Sequence, residues 1–472
     1  MPKFSAQQVY SLISEHKLTA EQAAAIEGAP VDSPSLVVAG AGSGKTELMM
    51  VRVLYLVANG YATPEQILGL TFTRKAANEL SARIQQGLIR LRESELWPAE
   101  LEQDFLPAKI ATYNSFGNEI FRSVALELGY EQEAQLISQA TALALARELV
   151  ESEVELSEEF AIQLDTIADR MVALSAEMTD NLVSAEQISS YFDELAKRVG
   201  ALPKSKPDEP GRFGYTDEYL ASLASARAIS NLVAKYRRVK FERNYLEFAD
   251  QVALSLAAAD SASLSLEYRF VLLDEYQDTS PIQSRLLAKL FHGKPVMAVG
   301  DPNQSIYAWR GASSANLADF FNDFGSGETF TLSTSWRSGT AILQAANAVS
   351  GSIPGGRVEA VQLSAGRDHA GLVTAAIYQD QESEAREVCG LVAEKITPDS
   401  SAAILFRTKE AMRLYSEELT KRGITHEITG LSALLEQPEV LDLISVLRVL
   451  VNPEATVELI RIASGPRYQF GP

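Results

Sequence analysis

The sequence predicts an α/β fold, with short buried strands alternating with helices and a helical insertion between two of them. Two patterns carry this prediction. Apolar runs of strand length occur at Leu36–Val38, Gln66–Leu70, Ile110–Thr112, Phe270–Leu273 and Val296–Gly300, and the first three run through a turn into a helical pattern. Ser123 to about Ala234 is instead rich in Ala, Leu and Glu at helical spacing, with no strand-like run until its end.

Composition narrows the class. With 472 residues, 46% hydrophobic and 22% charged, the chain is expected to be a soluble globular protein of several domains. The single Cys389 excludes an internal disulfide and a cysteine metal cluster, and its apolar helical setting suits a core position. His16, His292, His369 and His426 are scattered singly, with no metal-ligand spacing. The N-terminus lacks the basic start and apolar core of a signal peptide, and no run approaches the roughly 18 apolar residues of a membrane span. The cytoplasm is the expected compartment. A net charge of −20 argues by itself against nucleic-acid binding. Overall charge does not set the charge of one groove, however. The acids concentrate between Glu131 and Glu194, whereas Arg74, Lys75, Arg310 and Arg337 stand in the motif segments below.

In chain order, Phe4 to Glu27 reads as a helix pair. Thr19 is placed as an N-cap with Gln22 at the third helical position. Gln22 is then either a capping glutamine or an amide that reads an adenine edge, and both hold if the helix end abuts a nucleotide.

Ser35 to Glu47, SLVVAGAGSGKTE, reads as strand, glycine turn and helix start, with the helix running from Lys45 to Val57. Gly40, Gly42 and Gly44 allow backbone angles and approaches that a Cβ forbids. Their amides and the first free amides of the helix can point at phosphate oxygens. Lys45 would reach the β- and γ-phosphates of ATP, and Thr46 would ligate Mg²⁺. Ala39 stands where the usual pattern opens with Gly. The plain alternative is a flexible turn before a helix.

The second run ends in Thr71-Phe72-Thr73-Arg74-Lys75 and the third in Thr112-Tyr113-Asn114-Ser115-Phe116. Hydroxyls, aromatics and cations at strand-to-helix turns suit phosphate contacts and base stacking. They also suit ordinary capped helices with solvated cations. Pro203 to Gly214, with Pro207 and Pro210, reads as a long loop. Phe270–Leu273 delivers Asp274 and Glu275 at the strand end where open α/β sheets place their sites. Asp274 would hold Mg²⁺ and Glu275 would orient and deprotonate a water, unless the pair is only a turn. Val296–Gly300 leads into Asp301–Gly311. There Gln304, placed to feel a γ-phosphate, lies five residues before Trp309-Arg310, a pair able to stack on a base. The alternative is a buried Trp with a surface Arg.

Taken together, these motifs resemble the UvrD/Rep family of superfamily-one DNA helicases. The resemblance rests on Gln22; AGAGSGKT at Ala39–Thr46; LTFTRKAA at Leu70–Ala77; TYNSF at Thr112–Phe116; VLLDEYQD at Val271–Asp278; VGDPNQSIYAWRGA at Val299–Ala312; and SWRS at Ser335–Ser338. The wording around Gln22, LTFTRKAA and DEYQDTS is similar to AdnA/AdnB helicase–nuclease subunits. The resemblance implies RecA-like domains with helical insertions and an ATP site of Ala39, Gly40, Ala41, Gly42, Ser43, Gly44, Lys45 and Thr46. It implies Gln22 on adenine, Asp274 on the metal, and Gln304 and Arg337 on the γ-phosphate. Phe72, Arg74, Lys75, Thr112, Tyr307, Trp309 and Arg310 would face DNA. The family's tyrosine before the arginine finger is Trp336 here, able to stack on a purine. Its usual histidine in the third-strand motif is Asn114.

The expected division is a first core at 1–122 and 235–330, a helical insertion at 123–234, a partial second core at 331–447 and the opening of a second insertion at 448–472. A strand is expected at Ala402–Phe406. The family's later motifs are absent after Pro472, which suggests a truncated second core. The implied function, for the intact parent of the truncated chain, is an ATP-driven motor moving 3′ to 5′ on single-stranded DNA and at duplex junctions, in repair or end processing, with a second helicase–nuclease subunit as a partner and no membrane. A nucleotide- and DNA-binding fragment without motor activity is the alternative.

Overall fold

The computed structural model describes residues 2–28, 31–101, 105–131, 134–152, 164–202, 215–261, 264, 266–307, 315–353, 357–428, 438–451, 456–465, 467–468 and 470. The chain divides into two compact units, Met1–Val373 and Thr374–Pro472.

The strands of the first unit begin with β1 (Ser35–Ala39), β2 (Ile67–Thr71), β3 (Lys109–Thr112), β4 (Gln135–Leu136) and β5 (Tyr245–Leu246). They continue with β6 (Phe270–Leu273), β7 (Val296–Gly300) and β8 (Glu328–Leu332). Six of them form a sheet in the order β3-β2-β6-β7-β1-β8, parallel throughout. All five expected apolar runs are strands of this sheet. They read as continuous apolar runs because both faces are covered. Val37, Leu272, Met297 and Val299 point to one core with Leu48, Val51, Leu54, Ile84 and Leu88 of two helices. Leu36, Val38, Val271, Leu273 and Ala298 point to the other, with Phe116, Ile120, Leu287, Phe320 and Phe324. Each such fully buried side chain contributes roughly 1.5–3 kcal/mol relative to exposure.

All strand C-termini lie along one edge of the sheet, and β6 and β7 separate β1 from β2. Chain reversals of that kind open a crevice at the strand ends. The residues following β1, β2, β6 and β7 therefore share one edge.

Between β4 and β5 the described residues are mostly helical. Gln139–Ser152, Leu164–Asp180, Ala185–Gly200 and Thr216–Glu242 are helices, and three of them share a core that includes Leu145, Met171, Leu232 and Tyr236. The last helix runs past 234 to Glu242, and the β4–β5 ladder then ties the two ends of the insertion together. Lys240 is buried there, with Glu247 at 2.5 Å and Asp250 at 2.6 Å. The loop expected at 203–214 lies outside the described residues.

In the second unit, helices Gln381–Lys395 and Met412–Lys421 enclose a small core of Ala385, Cys389, Tyr415 and Leu419. Cys389 is buried, as its apolar setting suggested. The strand expected at Ala402–Phe406 is not formed: these residues pair with no other described strand, and Leu405 is exposed to solvent. Alternation of Ile404 and Phe406 toward the small core accounts for the strand-like pattern without a ladder.

Candidate active site

The loop after β1 turns sharply into the helix Lys45–Ala58. Gly42 and Gly44 have φ of 75° and 88°, left-handed values that suit glycine. A Cβ on Gly42 would come within 2.6 Å of Arg337 Cβ and 2.8 Å of Ser335 Oγ. The hydroxyl of Ser43 donates to the Gly40 carbonyl at 2.8 Å and closes the loop on itself. Lys45 and Thr46 stand in the first helical turn beyond it.

The second half of the site comes from the turn after β6. Asp274 is buried; its Oδ2 accepts from Thr71 Oγ1 of β2 at 3.2 Å, and its backbone carbonyl accepts from the Tyr113 hydroxyl at 2.8 Å. Its other carboxylate oxygen, Oδ1, is buried with no hydrogen-bond partner. Burial, reinforced by the charge of Glu275, pushes the Asp274 carboxyl up to about 6, against the opposing pull of Lys45 and Thr71. A buried carboxylate oxygen without a donor is costly unless a cation meets it. Among the described residues no three His, Cys, Asp or Glu side chains gather as a metal cage. A Mg²⁺ shared with phosphates needs only one or two protein ligands, and the unpartnered Asp274 Oδ1 is an oxygen donor that fits that ion.

Glu275 follows with φ of 49°, a left-handed value rare for a residue with a side chain and a mark of local strain. Its Oε2 accepts from Lys45 Nζ at 3.1 Å and from Gln277 Nε2 at 2.8 Å. Beyond β7, Gln304 Nε2 donates to Asp301 Oδ2 at 2.6 Å.

Gln22 caps its own helix, and the same side chain reaches the phosphate loop. Its Oε1 accepts the Thr19 amide at 3.0 Å, which caps its own helix, and its Nε2 donates to the Ser43 carbonyl of the phosphate loop at 3.3 Å. The neighbouring Glu21 accepts from the Ser333 amide at 2.8 Å and hydroxyl at 2.6 Å. That bond leads into β9 (Thr334–Ser335), which pairs in parallel with β10 (Ser364–Ala365). From there the Ser335 hydroxyl donates to Ala41 O at 2.9 Å, and the Trp336 amide donates to Gly42 O at 2.8 Å. The segment carrying Trp336 and Arg337 is thus docked on the loop, with both side chains exposed.

The residues expected to face nucleic acid divide. The rings of Phe72 and Tyr307 stack on each other, centroids 4.7 Å apart and 30° between planes. Arg74 and Lys75 are exposed in the first turn of the helix Arg74–Arg92, which Thr73 caps. Thr112 is nearly buried and caps the helix Tyr113–Val124 through the Ser115 amide at 3.0 Å, the plain alternative. Asn114 accepts from Gln283 Nε2 at 2.9 Å. Trp309 and Arg310 lie outside the described residues.

Gln277, Asp301, Tyr113 and Glu21 are site residues that sequence reasoning left without a role. Gln277 and Asp301 stood inside the motifs themselves. Nothing in the sequence marks Glu21, whose partner is 312 residues away.

A family model described as the UvrD/REP helicase N-terminal domain matches residues 18–325 of the chain. A second, the UvrD-like helicase C-terminal domain, matches residues 330–472. Similar curated proteins include ATP-dependent DNA helicase UvrD1 of Mycobacterium tuberculosis, 30% identical over 93% of this chain and 53% of that protein. ATP-dependent DNA helicase PcrA of Staphylococcus epidermidis is 27% identical over 96% of this chain and 56% of its own length. ATP-dependent DNA helicase Rep of Salmonella typhimurium is 29% identical over 94% and 60%. The chain spans about half the length of the curated relatives it matches.

Proposed function

The chain belongs to the UvrD/REP helicase family, and on that premise we propose that it hydrolyses ATP to drive 3′-to-5′ movement along single-stranded DNA. Its α/β core is of the RecA-like class. One observation supports this reading above the others: Lys45 of the glycine loop, Glu275 and the bare Oδ1 of Asp274 meet at one edge of the parallel sheet.

In this reading Lys45 leaves Glu275 for the β- and γ-phosphates of bound ATP. That frees the Glu275 carboxylate to orient a water and take its proton. Thr46 and Asp274 would hold Mg²⁺, which would supply charge neutralisation at the phosphates. Gln22 contacts the adenine edge, and Trp336 stacks on the ring. Gln304 and the Arg337 guanidinium sense the γ-phosphate, and Arg337 spreads the charge that develops on transfer. Phe72 and Tyr307 receive bases, with Arg74, Lys75, Thr112, Trp309 and Arg310 along the strand. A role in DNA repair or end processing in the cytoplasm is part of the proposal. No helix among the described residues is long and apolar enough to cross a membrane. Likeness to AdnA/AdnB and a second helicase–nuclease subunit gain no support from the relatives above, and the motor proposed needs neither.

Steady-state ATP turnover of the chain with and without single-stranded DNA tests the reading, together with strand displacement on substrates carrying a 3′ or a 5′ tail. DNA-stimulated turnover and displacement from the 3′ tail are expected. Nucleotide and DNA binding without stimulated turnover would favour the non-motor alternative, and a 5′ preference would overturn the polarity.

A further inference from the structure

Gln277 is 1% exposed and lies between two parts of the site. Its Nε2 donates to Glu275 Oε2 at 2.8 Å, and its Oε1 accepts the backbone amide of Asp301 at 3.1 Å. A backbone N–H can only donate, so the oxygen of the Gln277 amide must face Asp301 and its NH₂ must face Glu275. The hydrogen-bond network therefore sets the amide orientation. Asp301 continues the chain: Oδ2 accepts from Gln304 Nε2 at 2.6 Å and Oδ1 from the Asn303 amide at 2.9 Å. The Gln277 backbone carbonyl accepts from Ser305 Oγ at 3.1 Å, a second tie to the segment leading to Tyr307. A glycine keeps the space open, since a Cβ on Gly300 would lie 2.7 Å from Gln277 Oε1.

We propose that Gln277 is a positioning residue that aims the Glu275 carboxylate and ties it, through the Asp301 backbone, to the segment bearing Gln304 and Tyr307. The inference rests on Glu275 acting as the base, as proposed above. Among the described residues, Glu275 Oε2 accepts from Lys45 and Gln277. When Lys45 turns to phosphate, Gln277 is the donor that remains. A shift of the 301–307 segment, as when a base engages Tyr307, moves the acceptor that holds Gln277 and so moves the base. Nucleic-acid binding is thereby transmitted to hydrolysis through two hydrogen bonds.

Gln277→Met keeps length and volume while removing both bonds. On the full chain, the dissociation constants for a fluorescent ATP analogue and for a mixed-sequence oligonucleotide should stay unchanged. The kcat should fall roughly 10–100-fold, the usual cost of an outer-shell partner, with KM for ATP unchanged. Stimulation by single-stranded DNA should fall toward none. Gly300→Ala, whose Cβ would press the Gln277 amide aside and also meet Leu317 Cδ2 at 2.9 Å, should reproduce this in folded protein and serves if the Met variant does not fold. Folded variants with wild-type kcat and wild-type DNA stimulation would overturn the proposal. So would a parallel loss of melting temperature and both affinities with the stimulation ratio intact, the mark of a structural role only. Lys45→Ala separates the two readings. If the wild-type chain does not bind the ATP analogue, or Lys45→Ala binds it equally well, the ATP site itself falls and the relay with it. If Lys45→Ala loses binding while the Gln277 and Gly300 variants behave as wild type, only the relay falls.

Discussion

The ammonium of Lys45 lies 3.1 Å from a carboxylate oxygen of Glu275, although 230 residues separate them in sequence. The pair joins the two groups that the proposed mechanism uses at opposite ends of a phosphoryl transfer. In that mechanism Lys45 would leave the pair for phosphate, so that substrate binding and release of the base would be one event.

Replacing Lys45 tests the pair from its cationic side. Lys45→Ala should leave the fold intact, because the side chain lies on a loop-to-helix turn and outside both cores. Nucleotide binding should be lost, or turnover should fall by roughly 10²–10³, the range for removing one transition-state donor. Equilibrium binding of a fluorescent ATP analogue and steady-state ATPase measure both. Wild-type turnover would remove Lys45 from the site.

Glu275→Gln keeps an oxygen that can accept from both Lys45 and Gln277, so the local hydrogen bonds survive. ATP affinity should therefore be retained while turnover falls by about 10²–10⁴, the worth of a positioned general base. Single-turnover ATPase with saturating Mg²⁺ separates the steps. Weakened binding with unchanged turnover would contradict the assignment.

Phe72 and Tyr307 stack on one another, so a base that inserted between the rings would part them. Phe72→Ala and Tyr307→Ala should each weaken oligonucleotide binding by up to about 1–3 kcal/mol, irrespective of sequence. Their mutual stack, worth about 0.5–1.5 kcal/mol, offsets part of each loss and makes the effects non-additive in the double variant. Anisotropy titrations with mixed-sequence strands give the cycle. Strict additivity would mean that the two rings do not share a binding step.

Asp180 closes the helix Leu164–Asp180 at the junction between the insertion and the sheet unit. Burial and then the charge of Glu177 push its carboxyl up to about 6, against the opposing hydrogen bond to Ser280; Asp250 and Glu247, both engaged by Lys240, add to the rise. The folded value lies above the unfolded one near 3.9, so the folded chain binds this proton more tightly. Its contribution to stability is present below about pH 4 and is lost as pH rises through about 6. Asp180→Asn removes the buried charge and should melt higher than wild type at pH 8, by on the order of 1 kcal/mol after allowance for partial exposure, with a smaller gain at pH 5. Thermal denaturation at the two pH values decides it, and an equal gain at both would remove the charge from the explanation.

What the sequence determined by itself was the set of parts. Strands covered on both faces show as apolar runs, so β1, β2, β3, β6 and β7 were legible, as was the helical insertion from its period. The tight turn at Gly42 and Gly44 and the acidic pair Asp274-Glu275 at a strand end were legible because close backbone approach and buried charge restrict residue type sharply. Tertiary structure alone decided which parts meet. The order β3-β2-β6-β7-β1-β8 brings the ends of β1 and β6 to one edge, and no local pattern encodes that order. Gln277 looked like one more polar residue after an acidic pair until the end of β7 placed the Asp301 amide against it. The Phe72–Tyr307 stack and the Glu21–Ser333 bond are likewise pairings between distant segments. At Ala402–Phe406 a strand-like alternation produced no strand, because a ladder needs a partner that one segment's pattern does not contain. Local composition sets what a segment is able to do; the long-range contacts that bury its surface and pair its polar groups set what it does.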